Sequence, residues 1–104
     1  GMAIDCSLER LDGQLLDMGT AFDFLAEDPS PEVNPAHREY TQLTETVQKN
    51  RALLNSFILD SAKTLRFEII GLAQEWWDFR VPANLYNAYE PLRDSDLPSD
   101  MRCL

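Results

Sequence analysis

The apolar positions at the start of the chain keep a regular rhythm. Ile4, Leu8, Leu11, Leu15, Met18, Phe22 and Leu25 are spaced alternately four and three apart, the seam of a helix that packs lengthwise on another helix. The spacing predicts a helix over about 4–26. Leu16 and Ala21 widen the stripe, while Gly13 and Gly19 weaken its flanks. Residues 27–34 (EDPSPEVN) read as a connector: Pro29, Pro31 and the following Pro35 stop any helix, and Asp, Ser and Asn supply turn chemistry.

From Asn34-Pro35 the period changes little. Asn at an N-cap followed by Pro at the first helical position is a strong helix start. Tyr40, Leu43, Val47, Leu54, Phe57, Ile58, Ala62, Leu65, Ile69, Leu72, Trp76 and Phe79 then follow at threes, fours and sevens, apart from one adjacent pair. Gly71 is the one weak residue before Pro82, so the pattern predicts a long helix over about 35–79, on the order of 65–70 Å in length. Two alternatives stand beside it. Asp60-Ser61 can cap a new helix, which gives a three-helix bundle with a break near Asp60. Leu65, Phe67 and Ile69 also alternate as a strand would, although the flanking Ala, Lys, Gln and Glu favour helix.

A short connector between two amphipathic helices implies an antiparallel helical hairpin. In that register Phe22 meets Tyr40, Met18 meets Leu43, Leu15 meets Val47, Leu8 meets Leu54 and Ile4 meets Phe57. Asp23 falls near Arg38, Asp12 near Lys49, and Leu11 faces Asn50. The first helix runs out near Phe57, which leaves 58–79 apolar on more than one side and uncovered. A second copy of the chain is the simplest cover, so the expectation is an all-α homodimer forming a four-helix assembly. Residues 82–89 read as a short helical turn. Residues 1–92 read as one helical domain, and 93–104 as a flexible, polar tail.

Charge narrows the partners. The 104 residues carry a net charge of −9. Eight acids stand against one base up to Glu32, so the acidity belongs to the first segment. A chain of this sign does not bind nucleic acid through its phosphates. No apolar run is long enough for a membrane span and the start lacks a signal pattern, so a soluble, cytoplasmic protein is expected, with Gly1 read as an expression scar before Met2. Cys6 and Cys103 have no metal-ligand spacing and read as free thiols.

Little in the sequence points to chemistry. Glu75 and Asp78 form an ExxD on one helix face, the half-motif of helical nucleotide hydrolases that hold magnesium, but its ExxE companion is missing. His37 is the single histidine and reads as a surface residue. No Gly-rich phosphate loop, GxSxG, HExxH or zinc spacing is present. The function expected is therefore non-enzymatic: a small acidic regulatory, adaptor or chaperone-like protein acting by protein–protein interaction. Its interface would be Phe67, Ile70, Trp76, Trp77, Phe79, Tyr86 and Tyr89, with no catalytic, metal or cofactor residues. A metal-dependent helical-bundle hydrolase acting on nucleotides through Glu75 and Asp78 is a second expectation. The third is an acidic inhibitor of a nucleic-acid-binding protein, using Asp5, Glu9, Asp12 and Asp23.

Overall fold

The structure, a computed structural model, describes residues 2–102; the expectations for Gly1 and Cys103 lie outside the described residues. In chain order the elements are β1 (Ala3–Asp5), α1 (Glu45–Thr64), β2 (Ile70–Gly71), β3 (Asp78–Arg80) and α2 (Ala83–Tyr86), followed by two single 3-10 turns at Asp94–Asp96 and Ser99–Met101. The strands form one antiparallel sheet in the order β1-β3-β2. Asp5 pairs with Asp78, Ile4 with Phe79 and Ala3 with Arg80, while Gly71 and Ile70 pair with Phe79 and Arg80 from the other side. Further backbone bonds, Cys6 N–H to the Trp77 carbonyl and Val81 N–H to that of Met2, extend the β1–β3 ladder at both ends.

The all-α expectation is thus overturned: one 20-residue helix and a small sheet replace the helical hairpin. The helix expected over 4–26 does not form. Its N-terminal end is strand β1, and the remainder is a chain of turns. Gly13 and Gly19 sit at φ of 83° and 84°, and Asp23 at 59°, left-handed positions that no right-handed helix contains. Asp12 and Asp17 each accept a hydrogen bond from the backbone N–H two residues on, local bonds that compete with the helical ladder. Of the seven heptad positions only Met18 is buried, and Leu11, Leu15 and Leu25 lie open.

The long helix over 35–79 is also corrected, at both ends. Asn34 does cap a turn, its side-chain oxygen accepting from the Ala36 N–H, but the helix starts at Glu45, where the Thr44 hydroxyl caps Val47 N–H. No break occurs at Asp60, so the three-helix alternative fails as well. The helix stops at Thr64 in a Schellman turn. Arg66 takes φ 54°, its N–H bonds the Lys63 carbonyl, and Phe67 N–H bonds that of Ala62. The homodimer argument rested on a helix that continued to Phe79, and that support is gone.

α1 turns one stripe inward: Val47, Arg51, Leu54 and Ala62 are buried. Leu54 joins Met18, Ala36, Trp76, Trp77 and Phe79 in the core, with Cys6, Leu8, Leu16, Ile58 and Ile69 packed around it. Within this core Trp76 and Trp77 meet edge-to-face at 5.2 Å between ring centroids, and Phe22 leans on both indoles.

Candidate active site

The chemistry-bearing residues gather where the β2–β3 hairpin meets β1. The hairpin loop 72–77 is held from below by residues 34–38. Asn34 donates its side-chain amide to the Gln74 carbonyl at 2.9 Å, and the Arg38 backbone N–H reaches that of Ala73 at 2.8 Å. The Arg38 guanidinium donates to the carbonyls of Leu72, Trp76 and Asp78 and to Asn55 Oδ1. Its Cζ lies over the Phe79 ring, 4.6 Å from the centroid. Burial, partly offset by the Asp78 charge, pushes its pKa down. Gly71 is required by this clamp, because a Cβ there would collide with the Arg38 guanidinium.

The clamp presents two carboxylates, Glu75 and Asp78, beside β1. Asp78 stands directly opposite Asp5 in the ladder, which puts their Cβ atoms roughly 5 Å apart on one face. Glu75 and Asp23 add their charge to the same end of the sheet. Desolvation raises the pKa of Asp5, and the Asp78 and Asp23 charges raise it further, against a lowering by Arg80. Glu75 is raised in the same way, by desolvation first and then by Asp78 and Asp5. Asp78 itself is buried, 5% exposed, and is held by Arg80 in a two-point bond. The guanidinium Nε–H donates to Oδ1 at 2.8 Å, and Nη2 bonds Oδ2. This hydrogen bond lifts the Arg80 pKa.

Sequence reasoning picked out Glu75 and Asp78 but placed them on a helix; they lie on a hairpin loop and the strand after it. The residues expected at an interface divide. Trp76, Trp77 and Phe79 are buried in the chain's own core, whereas Phe67, Ile70, Tyr86 and Tyr89 are exposed. The expected ion pairs do not form. Lys49 pairs with Glu45, and Asn50 donates to the Asp17 carbonyl. Asp5, Arg80 and Arg38 went unassigned as a group. The signal for them is the alternation Asp78-Phe79-Arg80-Val81 just before Pro82, which reads as a short strand once the helix is given up.

The donor set does not fit a metal ion as it stands. Among the described residues no three or more His, Cys, Asp or Glu side chains are placed to hold one. The carboxylates near Asp78 offer oxygen alone, and Arg80 takes both oxygens of Asp78 itself. His37 is buried and accepts the Glu39 N–H on Nδ1. The Cys6 thiol is pushed up by burial and by Asp5, away from the thiolate a metal requires.

Desolvation and like charge thus raise two carboxylates, Asp5 and Glu75, at one end of the sheet. The chain is 32% identical, over 82 residues, to the D-alanyl-D-alanine dipeptidase of Escherichia coli (strain K12), a match that covers 79% of this chain and 36% of that protein. The chain therefore spans about a third of the relative's length. These findings overturn the non-enzymatic adaptor, the nucleotide hydrolase and the nucleic-acid-mimicking inhibitor expected from the sequence. The peptidase M15 family, described as D-ala-D-ala dipeptidase, matches residues 1–93, a span that takes in the sheet, the clamp and every acid of the site, and the chain belongs to it.

Proposed function

We propose that the chain carries part of a metal-dependent dipeptidase that hydrolyses the peptide bond of a D-alanyl-D-alanine substrate. The observation that carries this reading is the raised Glu75 carboxylate at the acidic end of the sheet, inside the span the family matches. Hydrolysis needs a proton taken from water as it attacks the carbonyl and a proton given to the departing amine. A carboxylate with its pKa raised by desolvation and like charge does both in turn. Glu75 has the exposure to reach a substrate, and the Arg38 clamp fixes its loop. Asp5 and Asp23 supply negative charge suited to a substrate's ammonium group. Because the donors do not fit a metal, no step is routed through one.

Among the described residues no helix is long and apolar enough to cross a membrane. As part of the proposal the compartment is the cytoplasm, where the half-buried Cys6 thiol stays reduced.

The test is D-alanine release from D-alanyl-D-alanine by the purified chain supplied with millimolar zinc. Glu75→Gln should lower the rate about a hundredfold or more, while Glu90→Gln, at an exposed position away from the cluster, should leave it unchanged. Release that is equal in wild type and Glu75→Gln, or absent from both, overturns the reading.

A further inference from the structure

The loop that carries Asp23 is joined to the hairpin loop that carries Glu75 through one hydroxyl. Trp76 follows Glu75 in the chain and is 2% exposed, so its indole N–H needs an acceptor inside the protein. It donates to Thr20 Oγ1 at 2.7 Å, across 56 residues of sequence. The same Thr20 hydroxyl donates to the Ala21 carbonyl at 3.1 Å. Thr20 thus uses both capacities of a hydroxyl, and it couples the indole to the backbone just ahead of Asp23.

The rest of the loop is anchored on either side of that contact. Upstream, α1 holds its root: Asn50 donates to the Asp17 carbonyl, and Arg51 bonds that of Met18 through Nε and Nη2. Gly19 takes φ 84° against the helix, where a Cβ would come within 3.0 Å of Val47 Cγ1. Downstream, the Phe22 ring packs on Trp76 and Trp77, with centroids 6.3 and 6.0 Å apart. Asp23 follows at φ 59°, a left-handed conformation that a non-glycine residue keeps where its surroundings impose it. Its carboxylate is exposed, and its charge is felt at both Asp5 and Glu75. An exposed acid held in a strained backbone is the kind of feature that collects at ligand-binding positions.

We propose that Thr20 is a positioning residue: by joining the Trp76 indole to the backbone of 20–23, it fixes Asp23 relative to Glu75 at the acidic end of the sheet. The catalytic consequence rests on the peptidase reading, in which Asp23 meets the substrate's ammonium group at a set distance from Glu75. The hold on Asp23 does not depend on that reading.

The experiment is ¹⁵N relaxation NMR at Asp23 and Met18 in wild type, Thr20→Val and Thr20→Ser, followed by steady-state kinetics on D-alanyl-D-alanine. Val keeps the shape of Thr without the hydroxyl, and Ser keeps the hydroxyl without the methyl. In wild type both amides should be rigid, with order parameters of about 0.85; Thr20→Val should bring Asp23 to about 0.6 or below and leave Met18, anchored by Arg51, where it was. Thr20→Ser should restore Asp23. In the kinetics Thr20→Val should raise KM about fivefold or more with kcat held within about twofold, because an ammonium contact is made alike in the ground and transition states. Thr20→Ser should behave as wild type. Equal order at Asp23 in wild type and Thr20→Val overturns the proposal, as does a Thr20→Ser chain that fails to restore it. A Thr20→Val chain that turns over with unchanged KM also overturns it. Should Thr20→Val fail to fold, Thr20→Ala takes its place in the same comparison, and a wild type in which Asp23 is already mobile overturns the proposal outright. D-alanine release absent from the wild type would remove the peptidase reading, and the order at Asp23 would still decide this one.

Discussion

Asp5 and Asp78 face each other across an antiparallel ladder, a placement that costs stability in any sheet. Local rules are broken in this way where function requires it. The cost is conditional on pH, and its sign follows from the direction of the shift. The Asp5 pKa is raised in the folded chain, so the folded state binds the proton more tightly than the unfolded state does. Stability from this group therefore falls as pH rises from the ordinary aspartate value of 3.8 through the raised one, and the penalty is complete above that. Asp5→Asn should stabilise the chain by roughly half a kcal/mol at pH 7. The gain should vanish below about pH 3, where the unfolded aspartate is protonated as well. Urea unfolding of both proteins at the two pH values checks this, and a gain of equal size at both would mean that the pair does not repel. Glu75 carries the same sign. Activity that depends on its ionised form should have an acid limb above the ordinary glutamate value, read from the pH profile of kcat/KM.

The helix α1 is set by its ends more than by its stripe. The stripe was legible: Val47, Leu54 and Ala62 were on the predicted apolar face, and they are buried. The start and the stop were not. Thr44 caps the helix, but Asn34-Pro35 ten residues earlier carries the stronger local signature, and Asn34 spends it on a turn and on the Gln74 carbonyl. At the other end the left-handed position that glycine usually marks is held by Arg66, so nothing in the sequence announces the stop. The 4–26 heptad shows the converse failure. Its spacing is regular, yet the asparate side chains at 12 and 17 bond their own backbone, and periodicity does not register that competition. The acidic site was half legible, with Glu75 and Asp78 singled out, because the residues that complete it come from a strand pairing that spans more than seventy residues of sequence. Two substitutions test the ends. Thr44→Ala should cost about 1 kcal/mol. Arg66→Gly should gain roughly half a kcal/mol, since relief of the left-handed strain exceeds the entropy glycine adds to the unfolded chain. Thermal unfolding separates the two signs, and a loss on Arg66→Gly would show that the turn is not strained.

Two arginines bind the molecule together, one globally and one locally. Arg51 lies on the inward stripe of α1 and is 7% exposed. Burial and the nearby Arg38 charge push its pKa down to about 10, so it stays charged at neutral pH while buried. Among the described residues no carboxylate pairs with it; instead it donates to the carbonyls of Met18, Pro35 and His37. It therefore ties the N-terminal arm and the 34–38 segment to the helix. Arg38 uses the same device to tie the 34–38 segment to the hairpin. The two links are in series: helix to segment through Arg51, segment to loop 72–77 through Arg38. Arg51→Met should leave several carbonyls without a donor and cost about 3 kcal/mol or more of global stability, a large part of what a domain of this size has. Arg38→Met should act differently. The sheet ladder and the core remain, but loop 72–77 loses its anchor, so amide exchange should accelerate at Glu75, Asp78 and Leu72 well before α1 is affected. Hydrogen exchange resolved by residue distinguishes these outcomes. If Arg38→Met instead raised exchange uniformly along α1, the hairpin and helix would be one cooperative unit, and the position of Glu75 would depend on the whole core rather than on the clamp beneath it.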